Sequence, residues 1–237
     1  MSTQSGGYDE ATRYKIQAAQ AAVAFVNSGM RLGLGTGSTA IWATRRIAEL
    51  LHDGTLKGIQ GFATSRATFD EASRLGIPML PDELDGELDV TIDGADEVDP
   101  QLDVIKGGGG ALLREKIVAQ VSRRYIITVD ESKLSQRLGT HFNLPVEVIT
   151  FGWHSQRQYI ESLGGQTQVR LLPDGTPYRT DSGNMILDCH FGPISDAVSL
   201  AAALSRRAGI VEHGLFLGMS TDVIVAGPSG LKHLRRF

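Results

Sequence analysis

Between Asp93 and Lys116 the chain reads DGADEVDPQLDVIKGGGGALLREK, and no ordinary packing need accounts for that run. Two carboxylates, Asp93 and Asp96, stand before four consecutive glycines at 107–110; Lys106 lies at their edge and Glu115 just beyond them. Glycine loses more backbone freedom on folding than any other residue, so such a run belongs where a backbone turns sharply or a ligand comes close. The next residues, ALLREKIVAQV, bring Leu112, Leu113, Ile117 and Val121 near one face of a helix, with Glu115 in its second turn. A helix opening from a glycine loop offers unpaired N–H groups and a positive dipole end, which suit an anion. Ionisable groups of both signs crowd round that loop. The stretch reads as the wall of an active site.

A second glycine loop, GLGTGSTA at 33–40, joins a strand to a helix. Its N–H groups, with hydroxyls from Thr36, Ser38 and Thr39 around Gly37, could hold a phosphate. A glycine turn with a Ser or Thr N-cap explains the same residues. The loop is neither a dinucleotide fingerprint, since Ser38 replaces the third glycine, nor a Walker A loop, since no GK[ST] follows. In TSRAT at 64–68 the Thr–Ser pair caps a helix, and its hydroxyls could line the same pocket. DGAD, that is Asp93, Gly94, Ala95 and Asp96, fits an Asx turn or, as a rival, a divalent-metal site. The six histidines (52, 141, 154, 190, 213 and 233) show no ligand spacing, so no metal is expected. Glu115 also fits a solvated helix face, and Lys133 in DESK either a surface lysine or a phosphate grip.

What must position these groups is an alternation of strands and helices. Residues 9–28 form an alanine-rich helix stopping at Ser28–Gly29, then MRLGLG a strand and TGSTAIWATRRIAELL a helix. IQGFATS, RATFDEASRLG, LDVTIDGAD and RRYIITVD continue as strand, helix, strand and, past the glycine loop and its helix, strand. This spacing means βαβ units and a mostly parallel, doubly wound, Rossmann-like α/β sheet. Ligands collect at the carboxyl ends of such strands, where residues 33–39, 64–68, 93–96 and 130–133 all fall. After about Pro145 the rhythm becomes β-α-β-β-α-β, the order of a smaller ferredoxin-like α+β domain, with hairpin chemistry in PDGTP. The expected division is 1–144 plus 219–237 for the catalytic domain and 145–218 for the smaller one, a plausible oligomer contact. DVIVAGPSGLKHL is expected to return as a strand and a helix.

At 237 residues the chain is long enough for a full core, and 41% apolar against 21% charged residues is a globular balance. A net charge of −4 with dispersed arginines argues against nucleic acid or an anionic membrane as partner. Cys189 is the sole cysteine, which excludes an intrachain disulfide and fits a reducing compartment. The polar start MSTQSGGYDEATRYK has no secretory character, and the apolar run at 18–26 is too short for a bilayer, so a cytoplasmic protein is expected.

In their order and spacing, GLGTGSTA, TSRAT, DGADEVD, KGGGGALLREK and DESK resemble the type A ribose-5-phosphate isomerase family, over essentially the whole chain. That resemblance implies interconversion of ribose 5-phosphate and ribulose 5-phosphate in the non-oxidative pentose phosphate pathway, without metal or organic cofactor, in a homodimer. Carried over, the proton-transfer base falls on Glu115. Substrate contacts fall on Thr36, Gly37, Ser38 and Thr39, on Asp93, Gly94, Ala95 and Asp96, on Lys106, Gly107, Gly108 and Gly109, and on Lys133. Gly110 and Leu113 depart from commoner small or hydroxyl residues. The chemistry suits the side chains: one carboxylate can take and return a proton through a cis-enediolate, while Lys106 and the loop amides stabilise its oxygens. Asp93 or Asp96 would move the hydroxyl proton that opens the ring; the sequence does not order them. A sugar-phosphate sensor would not need the placed base, and a deaminase or lactonase would not need the 93–116 block. A dehydrogenase lacks its third glycine.

Overall fold

The structure, a computed structural model describing residues 8–236, opens with α1 (Glu10–Val23), whose Asp9 cap accepts from the Thr12 N–H at 2.8 Å. Residues 1–7, where much of the polar start with its expected lack of secretory character falls, lie outside the described residues. The expected alternation follows in β1 (Arg31–Leu34), α2 (Ala40–His52), β2 (Gln60–Ala63), α3 (Arg66–Arg74) and β3 (Val90–Gly94). Two short strands absent from the sequence reading, β4 (Glu97–Val98) and β5 (Val104–Ile105), precede α4 (Leu112–Gln120) and β6 (Tyr125–Asp130). The second rhythm is β7 (Leu144–Val148), α5 (Trp153–Ser162), β8 (Gln166–Val169), β9 (Met185–His190), α6 (Ala197–Ser205) and β10 (Ile210–His213). The chain ends through β11 (Leu215–Phe216), β12 (Asp222–Gly227) and β13 (Gly230–Arg235).

Strands such as YIITVD send alternate side chains to opposite faces, and here both faces are apolar, as a sheet covered on both sides requires. Ile126, Ile224 and Ala226 pack with Ala18, Ala22 and Ile47 from α1 and α2. Tyr125, Ile127, Val129, Val223 and Val225 pack with Ala119 of α4 and with Val98, Val104 and Phe216. Those last three belong to a small sheet of order β11-β5-β4, so part of one face is covered by strands rather than a helix. The main sheet runs β13-β12-β6-β3-β1-β2, parallel except for β13. The chain steps outward from β1 to β2 and then back past β1 to β3. At such a reversal the connections diverge and leave a crevice at the carboxyl ends of the two strands. The loops that flank it are 35–39 and 94–96.

The other sheet is antiparallel in the order β10-β7-β9-β8, the ferredoxin-like arrangement, with its own core of Val146, Val148, Ile160, Leu187 and Leu204. PDGTP makes the expected turn, closed by a 2.8 Å bond from the Leu172 N–H to the Thr176 carbonyl.

Two expectations fail. LKHL is not helical: β13 pairs antiparallel with β12 from Asp222↔Arg235 to Gly227↔Gly230, turning through Pro228 and Ser229. All six of its residues are exposed, as an edge strand allows, so it has no alternating pattern to read. In α4 the buried stripe is Leu112, Glu115, Lys116 and Ala119, spaced i, i+3, i+4, i+7, while Ile117 is 48% exposed. Two charged residues occupy the inward face, with Glu115 in the first turn rather than the second, and that misleads an apolar-periodicity argument.

Candidate active site

Three elements converge on one buried ion cluster. Asp93 lies on β3 beside β1, and its carboxylate runs so close to Gly35 that a Cβ there would stand 2.2 Å from Oδ1. Lys106 follows β5, and its N–H donates to the Gly214 carbonyl at 2.9 Å, between β10 and β11. Only glycine fits at 214, because a Cβ there would lie 2.3 Å from the Lys106 carbonyl. Glu115 comes from α4. The Lys106 ammonium sits 3.1 Å from Asp93 Oδ2 and 3.1 Å from Glu115 Oε1, and also bonds the Gly94 carbonyl.

Asp93 is fully buried. Its Oδ1 accepts from the Thr36 N–H at 3.2 Å and the Gly94 N–H at 2.8 Å, and its Oδ2 from the Tyr125 hydroxyl at 3.1 Å. Burial raises its pKa, against the pull of Lys106 and these hydrogen bonds. Burial likewise pushes Glu115 up to about 8, with Lys106 opposing and Asp93 reinforcing the shift. For Lys106 burial acts downward, but Asp93 and Glu115 outweigh it and hold the ammonium above its ordinary value. The cluster is therefore a fixed cation flanked by two carboxylates reluctant to be charged together. Glu115 differs from Asp93 in one respect: its Oε2 is buried and has no hydrogen-bond partner among the described residues.

The glycine loop lies over this cluster. Gly107 and Gly110 take φ of +109° and +81°, open to glycine alone without strain. The Gly108 N–H donates to Asp96 Oδ2 at 2.8 Å, and a Cβ at 108 would lie 2.5 Å from Asp96 Oδ1. The structure thus separates the two aspartates. Asp96 lines the cleft, whereas Asp93 lies beneath it as the counter-charge of Lys106.

On the opposite wall, the N–H groups of Gly37, Ser38 and Thr39 have no acceptor among the described residues, at the mouth of the 13-residue α2. Thr39 occupies the N-cap without a side-chain cap bond. The Thr36 hydroxyl turns away from this role, bonding Thr64 at 2.7 Å, Ser65 at 2.8 Å and Thr68 at 3.1 Å. TSRAT therefore serves as cap and anchor: Ser65 accepts from the Thr68 N–H at 3.1 Å, and the hydroxyl cluster ties the loop to β2.

The cleft so formed holds about 270 Å³ and is lined by Thr36, Gly37, Ser38, Thr39, Gly94, Ala95, Asp96, Lys106, Gly107, Gly108, Gly109, Glu115, Lys133 and Lys15. The sequence reading missed Lys15, which reaches over from α1 to bond Ser38 Oγ at 3.0 Å. Its only local signal is a lysine on the polar side of an amphipathic helix. Tyr125, masked by its apolar strand, was missed too. A larger hollow of about 600 Å³ between α1 and α2, lined by Tyr8, Trp42 and Arg45, is reached by none of the clustered carboxylates. Among the described residues no group of three or more His, Cys, Asp or Glu is placed to hold a metal, and no helix is long and apolar enough to cross a membrane.

A profile described as ribose 5-phosphate isomerase A (phosphoriboisomerase A) matches residues 60–230. Ribose-5-phosphate isomerase A of Chloroflexus aurantiacus is 58% identical over 93% of this chain and 92% of that protein. The Desulfatibacillum aliphaticivorans protein of the same name is 54% identical over 93% and 96%. A D-ribose-5-phosphate isomerase in complex with phospho-erythronic acid superposes with a TM-score of 0.93 at 34% identity, over 96% of this chain and all of the other. Ribose 5-phosphate isomerase A from Methanocaldococcus jannaschii gives 0.88 at 37%, over 94% and 98%. With the profile matching most of the chain and the relatives covering more than nine tenths of it, the chain belongs to the ribose 5-phosphate isomerase A family.

Proposed function

We propose that this protein interconverts D-ribose 5-phosphate and D-ribulose 5-phosphate, with Glu115 as the proton-transfer base. The observation that carries the assignment is the state of Glu115. It lines the cleft, one oxygen is paired with Lys106, and the other is buried without a partner. A base works best when its pKa lies near the working pH, and burial brings this one to about 8.

The phosphate sits against the N–H groups of Gly37, Ser38 and Thr39 at the α2 N-terminus, gripped by Lys15 and Lys133. Anchored there, the sugar extends towards the glycine loop. Asp96 handles the hydroxyl proton as the furanose opens, since it faces the cleft and Asp93 does not. Glu115 then takes the proton from C2 of the open aldehyde, leaving a cis-enediolate; the O2 hydroxyl proton passes to O1, and Glu115 returns its proton to C1 on the same face to give the ketose. The negative charge that develops on the oxygens at C1 and C2 is held by the Lys106 ammonium, fixed in position by Asp93. Phospho-erythronic acid, the ligand of the similar structure, carries a phosphate and a planar carboxylate, a shape close to an enediolate phosphate.

The same reading takes residues 1–144 plus 219–237 as the catalytic unit and 145–218 as the smaller one, in a cytoplasmic homodimer acting without a cofactor. The test is turnover of ribose 5-phosphate by purified, chelator-treated protein. Turnover is expected, and a folded protein that leaves ribose 5-phosphate unchanged would reject the proposal. Sedimentation at micromolar protein reads the dimer separately, with a monomer removing that part alone.

A further inference from the structure

Side chains from the segment between β8 and β9 reach across to the back of the glycine loop. Arg170, just past β8, donates through Nη1 to the Gly107 carbonyl at 2.7 Å and to the Gly108 carbonyl at 3.1 Å. The Tyr178 hydroxyl donates to the next carbonyl, Gly109, at 3.4 Å. Arg170 is itself clamped by Asp188 of β9, through Nε to Oδ2 at 2.9 Å and through Nη2 to Oδ1. Its side chain is only 15% exposed. This is a planar fork with both edges occupied, one by a carboxylate and the other by backbone.

A trans peptide points its C=O and the following N–H in opposite directions, and no described peptide bond is cis. Holding the carbonyls of Gly107 and Gly108 therefore aims the N–H groups of Gly108 and Gly109 away from Arg170. The first meets Asp96 at 2.8 Å. The second, on a residue lining the cleft, has no acceptor among the described residues. Four glycines lack side chains to hold such an orientation, and the run would otherwise sample many backbone states. We infer that Arg170, clamped by Asp188, is a positioning residue for the isomerisation: it orients the glycine-loop amides so that the Gly109 N–H stabilises the enediolate and Asp96 is held for proton transfer. Arg170 is not a catalytic residue, since it acts through the loop. This rests on the isomerase reading above.

The test uses Arg170→Met, which keeps the apolar stem and removes the donors, and Asp188→Asn, which loosens the clamp. Losing one oriented N–H donor at a developing oxyanion costs about 10²–10³-fold in kcat, so a loss of about 10–100-fold is expected where the donor is misaimed rather than absent. KM should change by less than about threefold, because the phosphate grip lies on the other wall. Calorimetry should show phospho-erythronic acid binding weakened in parallel with kcat, while inorganic phosphate binds as in the parent. Asp188→Asn should show the same pattern at smaller amplitude, and it decides the matter if Arg170→Met does not unfold cooperatively. Unchanged kcat and analogue affinity, or equal weakening of analogue and phosphate, would overturn the inference. A parent that binds the analogue and turns over, beside variants that do so equally well, leaves the isomerase reading intact. A parent that does neither removes both.

Discussion

Replacing Glu115 with Gln should abolish most turnover and at the same time stabilise the protein. Gln keeps the shape of the side chain and cannot ionise, so it mimics the protonated carboxyl that the buried site prefers. Burial raises the Glu115 pKa from 4.5 to about 8, meaning the folded protein holds that proton far more tightly than the unfolded chain. A raised carboxyl pKa gives stability that is full below pH 4.5 and lost as pH climbs towards 8. At roughly 1.4 kcal/mol per unit, keeping this carboxyl buried leaves the fold about 3 kcal/mol less stable at pH 7 than at pH 4.5, because the unfolded chain ionises it freely. The variant escapes that cost and should melt higher, by about 2–4 °C per kcal/mol in a chain of this size. The assay is a pair of melting curves against pH beside a kcat measurement. The gap between parent and variant should be near zero at about pH 4.5, widen with rising pH and level off near 8, while kcat falls by about 10²–10⁴-fold or more. A variant no more stable than the parent at pH 7 would refute the desolvated carboxylate. A variant that turns over normally would refute the base.

Three further outcomes follow from the geometry. With Glu115 titrating near 8 in the free enzyme, kcat/KM should fall about tenfold per unit as pH drops below that value, because the base must be deprotonated; a flat profile between pH 6 and 8 would contradict this. His213 is driven down to about 4, first by burial and then by Lys116, so it stabilises the fold above its ordinary 6.5 and that stability is lost as pH falls through 4. Denaturant titrations should show about 3 kcal/mol disappearing across that window, and His213→Asn should flatten this part of the curve. Gly110→Ala combines a φ of +81° with a Cβ 2.2 Å from the Tyr178 hydroxyl, so it should destabilise by about 2 kcal/mol or more, with Tyr178→Ala in the same chain restoring the share due to the clash. An unaltered melting temperature for Gly110→Ala would remove that contact.

The loops were legible because their reasons are local. Glycines at 107 and 110 are demanded by positive φ, those at 35 and 108 by carboxylates pressed against their backbones, and such demands leave a mark in the chain itself. Strand and helix order was equally readable from β-branched runs and caps, and it carried the parallel sheet with it, whereas the reversal point between β1 and β3 came only with the strand pairing. Where a residue's environment is made by distant segments, local reading failed. Neither β4 nor β5 is long enough to show a period; β4 pairs with β5 close by, and β5 in turn with β11, more than a hundred residues away. The exposed β13 needs no alternation, so LKHLR carries no strand signature until β12 lies beside it.

The chemistry divides along the same line. The composition of the site, two aspartates, a lysine and a glutamate around glycine, stands in the sequence, because reactive side chains must be encoded where they act. Their roles do not. Asp93 and Asp96 look interchangeable in DGAD, yet one is sealed beneath the cleft against Lys106 and Tyr125 while the other lines it. Lys15 joins the cleft from α1, and Arg170 reaches the glycine loop from the end of β8, 62 and 63 positions along the chain from the carbonyls it holds. Burial, charge coupling and contacts between remote segments depend on how the whole chain packs, so residue type is written locally and residue role is decided by the tertiary structure.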